Sequence, residues 1–346
     1  MPDEMQRIVL AKRPEGRPGP ENFRLERVAM PRPGEGEVLL RVLWMSLDPY
    51  MRGRMDDAKS YATPVKVDEQ MGGGAVGEVI ESRSDRFAPG DIAMGMFGWA
   101  SHGVVRAAEL RKVDPTIAPV TTSLGVLGMP GFTGWYGFNT IGRPKQGETL
   151  VVGAATGPVG SMVGQLARHK GLRAIGVAGG AEKCAFAVEQ LGFDACIDHR
   201  AAADARALRA ALADTCPDGV DIYFENVAGK TLEAVLPLMN VGGRIPICGM
   251  VAWYNAGALG GGASDGPDRL PKVWRTILVN RLTVSGFIIS DHFDRFGEFL
   301  AEVGPLVRAG KIAYREDVTE GLENAPDAFL RMLDGKNFGK TLVKVA

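Results

Sequence analysis

Apolar stretches come short and often in the first third of the chain. Arg7–Ala11, Phe23–Val28 and Glu37–Leu47 read as strands, parted by Pro/Gly turns such as Pro31–Gly36. A second set follows at Ala75–Ser82, Asp91–Met96 and Gly103–Ala107. Together they predict a compact β-barrel-like unit over residues 1–127. Near Thr149 the pattern changes. Six apolar strand candidates recur, at Thr149–Ala154, Arg173–Ala178, Ala195–His199, Asp221–Asn226, Arg244–Gly249 and Leu282–Phe287, with amphipathic segments between most of them. In Pro158–Lys170 the residues Val159, Met162, Val163, Leu166 and Ala167 share one helical face. Helices are also predicted over Ala181–Leu191, closed by Gly192, over Ala201–Ala213 and over Ala228–Asn240. Strand and helix in alternation predict an α/β fold over 128–306, a Rossmann-type doubly wound parallel sheet with both faces covered. A short strand at Lys311–Arg315, a helix at Pro326–Leu333 and a last strand at Thr341–Val345 suit a return of residues 307–346 to the first unit. Gly257–Pro267, rich in Gly and Ser, reads as a mobile loop.

Composition narrows the partners. With 346 residues the chain suits two domains of ~150 residues each. The net charge of −1 gives no global field for a polyanion, which argues against nucleic acid. No stretch reads as a signal peptide, and none approaches the ~18–20 apolar residues of a membrane span. The cysteines Cys184, Cys196, Cys216 and Cys248 are scattered, with no close pair, and read as free thiols of a cytoplasmic protein. The histidines are equally dispersed, and no Cys/His cluster has the spacing of a metal site.

The strongest local signal is Thr149-Leu-Val-Val-Gly-Ala-Ala-Thr-Gly157-Pro-Val-Gly160. A buried strand runs into a glycine turn that opens a helix. Glycines let the backbone approach a pyrophosphate, and the helix N-terminus offers N–H groups and a positive dipole end. Gly157, Pro158, Val159 and Gly160 are therefore candidate dinucleotide contacts. The expected first glycine is Ala155. At the tip of the second strand, Ala178-Gly-Gly-Ala-Glu-Lys183 lacks the terminal acid that accepts from the ribose 2′-hydroxyl of NAD. Lys183, with Arg200 beyond the third strand, favours NADP(H) through charge-assisted bonds to a 2′-phosphate; the alternative for Lys183 is a solvated helix residue.

At this point the chain resembles a known family. Leu47-Asp-Pro-Tyr-Met-Arg-Gly-Arg-Met55, Ala154–Ser161, Gly179-Gly-Ala-Glu-Lys-Cys184, Phe224-Glu-Asn-Val227, Cys248-Gly-Met-Val-Ala-Trp-Tyr-Asn255, Ser285-Gly-Phe-Ile-Ile289 and Lys336-Asn-Phe-Gly-Lys340 are similar, in order, to segments of the zinc-free alkenal/one oxidoreductases. These are the prostaglandin reductase, leukotriene B4 12-hydroxydehydrogenase, plant double-bond reductase and curcumin reductase group of the medium-chain dehydrogenase/reductase superfamily. Gly72-Gly-Gly74 stands where zinc alcohol dehydrogenases carry Gly-His-Glu, so no metal is expected.

The resemblance implies a GroES-like first domain, a Rossmann NADP-binding domain and a homodimer. It implies NADPH-dependent reduction of the C=C bond of an α,β-unsaturated ketone or aldehyde, with hydride delivered to the β-carbon. It matches Tyr254 to the tyrosine that hydrogen-bonds the enolate-like oxygen, the alternative being a pocket-wall tyrosine with cofactor ribose or water as proton source. It matches Tyr50 to the substrate pocket, the alternative being a core tyrosine. Asn226, Cys248, Met250, Phe287, Ile289 and Asn337 match cofactor contacts, and His199 stands where these reductases often carry a tyrosine, suited to stacking on adenine or pairing with the 2′-phosphate. A cofactor-binding sensor with little turnover and a quinone reductase on the same fold are the competing readings.

Overall fold

The computed structural model describes residues 3–257 and 269–346, and its internal contacts divide the chain into two units. Apart from Gly257, the predicted Gly/Ser loop lies outside the described residues. One unit comprises Met1–Gly128, Tyr254–Gly261 and Glu316–Ala346; the other comprises Met129–Trp253 and Gly262–Arg315.

In the first unit β1 (Glu4–Leu10) and β2 (Phe23–Ala29) form an antiparallel pair, with Glu4 opposite Ala29 and Leu10 opposite Phe23. The longest strand, β3 (Glu37–Ser46), is followed by the single turn α1 (Tyr50–Gly53). Then come β4 (Ala75–Ser82), β5 (Ile92–Gly95), β6 (His102–Arg106) and β7 (Arg111–Lys112). Trp99, fully buried, stacks on Phe23 at 5.7 Å and meets the edge of Phe329 at 5.7 Å. This trio anchors the core of the unit.

The second unit opens with α2 (Met129–Tyr136), which widens into a π-helical stretch, Gly137–Gly142. Strands and helices then alternate: β8 (Thr149–Gly153), α3 (Pro158–His169), β9 (Arg173–Ala178), α4 (Ala181–Glu189), β10 (Ala195–Asp198), α5 (Ala205–Thr215), β11 (Val220–Phe224), α6 (Gly229–Val235), β12 (Met239–Ile247), α7 (Leu270–Asn280), β13 (Thr283–Gly286) and α8 (Phe296–Arg308). All six strands run parallel, in the order β10-β9-β8-β11-β12-β13. This is the doubly wound order, with its switch point between β8 and β11. The central strands β8, β9 and β11 are largely buried beneath the helices, so they read as mainly apolar runs, while β10 is half-buried and β13 is mostly exposed.

The chain then supplies β14 (Glu316–Glu320), α9 (Ala325–Leu333) and β15 (Lys340–Lys344) to the first unit. β15 lies between β14, which it pairs in parallel, and the end of β3, where Leu342 faces Ser46. β6 takes the other half of that same edge of β3, with Glu37 opposite Arg106.

Three sequence expectations are corrected. The strand expected at Lys311–Arg315 is irregular, and β14 starts at Glu316. Glu-Asp-Val-Thr-Glu has one apolar residue, and its strand state comes from pairing with β15. The helix expected over Ala228–Asn240 ends near Pro237, and Met239 already belongs to β12. α5 starts at Ala205 because Asp204 caps it, its carboxylate accepting the Ala207 N–H at 2.8 Å.

Candidate functional site

The second unit builds its loop from β8 outward. Every residue of β8 is buried, and Ala155 N–H bonds the Val177 carbonyl at 3.1 Å, so the turn leaves the sheet at the carboxyl ends of β8 and β9. Ala154 adopts φ +50°, and Gly157 caps α3 with extended backbone and no side-chain cap. Pro158 takes the first helical position, where a missing N–H is harmless. Glycine is required at 160: a Cβ there would stand 2.3 Å from the Ala154 carbonyl oxygen. The alanine at 155 is accommodated because Gly176 on β9 leaves room for its methyl; a Cβ at 176 would be 2.8 Å from the Ala155 Cβ. Gly157, Pro158, Val159 and Gly160 thus form one helix start, half-buried over its first three residues and buried at Gly160, the geometry a pyrophosphate takes.

Beside it lies the tip of β9. A Cβ at Gly179 would fall 2.8 Å from Arg200 Nε and 3.0 Å from His199 Nε2, so both side chains lie over this glycine. Burial, then the Lys230 and Arg200 charges, hold the His199 imidazole below its usual pKa and therefore neutral near pH 7, with Lys183 adding to the effect. Lys230 Nζ donates to the His199 and Ala202 carbonyls at 2.6 and 2.9 Å and braces the turn from below. The nearby acid, Asp198, is engaged: its Oδ1 accepts from Gly180 N at 2.8 Å and Arg200 N at 2.9 Å. Burial opposes its charge, but those bonds keep it below the ordinary carboxylate range. The tip therefore gathers Lys183, Arg200 and a neutral His199, with the Asp198 carboxylate engaged by backbone N–H groups.

At the switch point, Asn226 Nδ2 donates to the Gly153 carbonyl at 3.0 Å and ties the end of β11 to the phosphate loop. Residues 248–252 run alongside: Cys248 N and Gly249 N bond the Glu225 carbonyl, and Ala252 N bonds Val227 O at 3.0 Å. Cys248 and Met250 are thereby placed next to Asn226. Burial, then the nearby Glu225, push the Cys248 thiol up to about 12, so it contributes packing and backbone, not a thiolate. Phe287 packs on Tyr136 and Phe224, its ring tip 2.7 Å from where a Cβ of Gly137 would stand. A cavity of about 590 Å³ opens there, lined by Tyr136, Ile141, Ser285, Gly286, Phe287, Ile288, Asp291 and His292. Ile289 begins the turn that carries Asp291 and His292 of this lining.

Tyr50, Tyr254 and Asn337 belong to the first unit. Burial, then the charge of Asp48, raise the Tyr50 phenol, which stays protonated. Just before it, Lys340 Nζ donates to Leu47 O and Asp48 Oδ1, both at 2.7 Å, and Ser46 Oγ donates to the other oxygen of Asp48. This buried pair fixes the Tyr50 turn to the segment of Asn337, whose Nδ2 donates to Gly339 O at 3.0 Å. Tyr254 is 9% exposed. Gly16 stands near its neighbour Asn255, whose carbonyl is 3.9 Å from the Gly16 Cβ position, and the Gly16 carbonyl accepts from Arg52 at 2.8 Å. Gly16 thus approaches the residue after Tyr254 and is bonded to Arg52, two residues after Tyr50.

Sequence reasoning missed Glu225, Asp198 and the Asp48–Lys340 pair, whose roles depend on what the fold packs against them. The described residues do not fit a catalytic metal. Among the described residues no three His, Cys, Asp or Glu side chains gather around a point. At 73, where a zinc-binding histidine would stand, a Cβ would lie 2.5 Å from the buried Met51 methyl and 3.4 Å from Trp99.

Comparison with known proteins places these features. Residues 6–113 match a family model described as the N-terminal domain of oxidoreductase, and 158–304 match one described as zinc-binding dehydrogenase. The chain is 52% identical over 342 residues to the NADPH-dependent curcumin reductase of Escherichia coli (strain K12), covering 99% of this chain and 97% of that protein. It is 38% identical to the 2-alkenal reductase (NADP(+)-dependent) of Nicotiana tabacum, covering 90% and 88%. Among solved structures, CurA from Vibrio vulnificus in complex with NADPH superposes with a TM-score of 0.92 at 49% identity, covering 99% of each chain.

Proposed function

The chain belongs to the zinc-free medium-chain dehydrogenase/reductases, the family of the curcumin, alkenal and prostaglandin reductases, and on that footing we propose its reaction and the roles of its residues. It is an NADPH-dependent reductase of the C=C bond of α,β-unsaturated ketones and aldehydes. The observation that carries this reading is the end-to-end 52% identity to a protein named for NADPH-dependent curcumin reduction.

NADPH, when bound, supplies the hydride. The start of α3, at Gly157–Gly160, receives the pyrophosphate, and Lys183 and Arg200 receive the 2′-phosphate, while neutral His199 offers a ring face or an N–H to the adenosine end. Asn226, Cys248 and Met250 border the ribose side, and backbone groups of Phe287 and Ile289 meet the carboxamide. In the first unit Tyr50 lines the substrate pocket and, being protonated, donates rather than repels. Tyr254 donates its phenol hydrogen to the substrate carbonyl oxygen as the enolate develops, which is where a fixed donor is most effective. Asn337 completes the cofactor contacts.

We assign substrate handling to residues 1–127 and 307–346 and cofactor binding, Asn337 apart, to 128–306. We also propose a cytoplasmic homodimer. No helix among the described residues is long and apolar enough to cross a membrane. β13 is the last strand on its side of the sheet, and α7 leaves Leu270, Trp274 and Leu278 more than half exposed, an apolar surface suited to a second copy.

The test is NADPH consumption over a panel of enones and enals, with product analysis. Saturated ketones and aldehydes are expected; allylic alcohols alone would overturn the assignment.

A further inference from the structure

Read along the chain, the cysteines are scattered, yet the fold closes two of them into a pair. Cys184, in the first turn of α4, and Cys196, on β10, are hydrogen-bonded through their side chains, and both are free thiols. Neither is fully buried. Gly176 makes the room: Cys196 Sγ lies 3.0 Å from where its Cβ would stand. The pair sits at the root of the cationic tip. Lys183 precedes Cys184, and Asp198, which holds the N–H groups of Gly180 and Arg200, follows Cys196 by two residues. The bond from Cys196 lowers the Cys184 thiol pKa, and the same bond, with burial, raises that of Cys196. Of the two, Cys184 is the readier to lose its proton, and Cys196 keeps its own. The remaining thiols are inert by comparison, since burial pushes Cys216 up to about 11 and Cys248 up to about 12.

We propose that Cys184 and Cys196 form an oxidisable dithiol, and that its conversion to a disulfide by a hydroperoxide weakens NADPH binding at the adjoining strand tip. The second half rests on the assignment of Lys183 and Arg200 to the 2′-phosphate. Cys184 sulfur attacks the peroxide oxygen, the O–O bond breaks, and a sulfenic acid forms with release of one water, or of an alcohol from an organic hydroperoxide. Cys196 sulfur then attacks the sulfenic sulfur, the S–O bond breaks, and the hydroxyl leaves with the Cys196 proton as water. Two thiols lose two electrons and two protons, and the peroxide takes both. A dithiol reductant reverses the change by exchange. Because an S–S bond is only ~2.05 Å long, closure draws the first turn of α4 toward β10 and takes Lys183 with it.

The full chain is treated with hydrogen peroxide, its remaining thiols are alkylated under denaturing conditions and counted by mass, and NADPH and NADH affinities are measured by fluorescence titration. The expected result is loss of two of the four alkylatable thiols, restored by dithiothreitol. The Kd for NADPH should rise about tenfold, as for loss of one charge-assisted bond, with NADH little changed. Cys184→Ser and Cys196→Ser should each abolish both effects, and Cys196→Ala serves if the serine variant fails to fold. An unchanged thiol count, or a disulfide that leaves NADPH affinity as it was, overturns the proposal. Equal affinity of the reduced protein for NADPH and NADH would instead count against the strand-tip assignment, and the thiol count would still decide whether the pair oxidises.

Discussion

Glu225 Oε1 accepts the backbone N–H of Ala228 at 2.7 Å, and Ala228 is held at φ +66°, a conformation an alanine rarely adopts. The same oxygen accepts from Val227 N at 2.7 Å and from the Tyr223 hydroxyl at 3.0 Å. One buried carboxyl group thus fixes the turn that follows Asn226.

Glu225→Ala should therefore destabilise the protein by about 2–4 kcal/mol, since it leaves two backbone donors and a buried phenol without their acceptor. Glu225→Gln keeps an acceptor and removes the titration. Burial raises the Glu225 pKa against the opposing bonds from Ala228, Val227 and Tyr223, and its ionisable neighbours are the Tyr223 phenol and the Cys248 thiol, both held protonated. A carboxyl group with a raised folded pKa contributes most below its unfolded pKa, and that contribution is lost as pH rises through the folded value. Thermal melts from pH 4 to 9 should show the Gln variant gaining on the wild type as pH increases. A constant gap would mean that folding leaves the Glu225 pKa unshifted.

Lys183→Glu should raise the Kd for NADPH at least about tenfold and change that for NADH far less, because it removes a charge-assisted bond and adds repulsion toward a 2′-phosphate. Parallel titrations of both nucleotides decide it, and equal losses would remove Lys183 from the site.

Tyr254→Phe should lower kcat by about 100-fold, the scale of one lost oxyanion donor, while NADPH affinity stays near wild type. Steady-state kinetics with one enone and a separate NADPH titration separate the two quantities. Unchanged kcat would return the role of proton donor to solvent.

Lys340→Met should lose about 3–5 kcal/mol, because Asp48 would remain buried and unpaired. Combining it with Asp48→Asn should restore part of the loss. Urea unfolding of the three variants measures this, and additive losses would show that the two residues act independently.

Gly73→Ala should cost about 1–3 kcal/mol by crowding the Met51 methyl, and Met51→Val in the same chain should recover some of it. With no ligand set at that position, 1,10-phenanthroline should leave turnover unchanged. Inhibition reversed by zinc would contradict the site as described.

The sequence discloses most where burial is continuous and glycine is forced. β8 is apolar throughout, and Gly157-Pro158 marks the start of α3, so the phosphate loop is readable without coordinates. β14 is not readable, because Glu316-Asp-Val-Thr-Glu becomes a strand only against β15, twenty or more residues later. α8 contains Pro305, which disguises a thirteen-residue helix. Cys184 and Cys196 meet only because α4 packs on β10, and the bonds that engage the buried Glu225 form only once its neighbours fold over it. Contacts made by tertiary packing leave no local pattern in the chain.

Placing β15 inside the seven-stranded sheet, between β14 and β3, has a consequence during synthesis. Trp44–Ser46 cannot find their partner until Lys340–Lys344 have left the ribosome, so the half of the protein made first is completed last. Until then that stretch of β3 is a bare ribbon edge, open to pairing with another nascent chain. A polypeptide halted before Lys340 would carry a finished nucleotide fold and an unfinished first unit prone to aggregation.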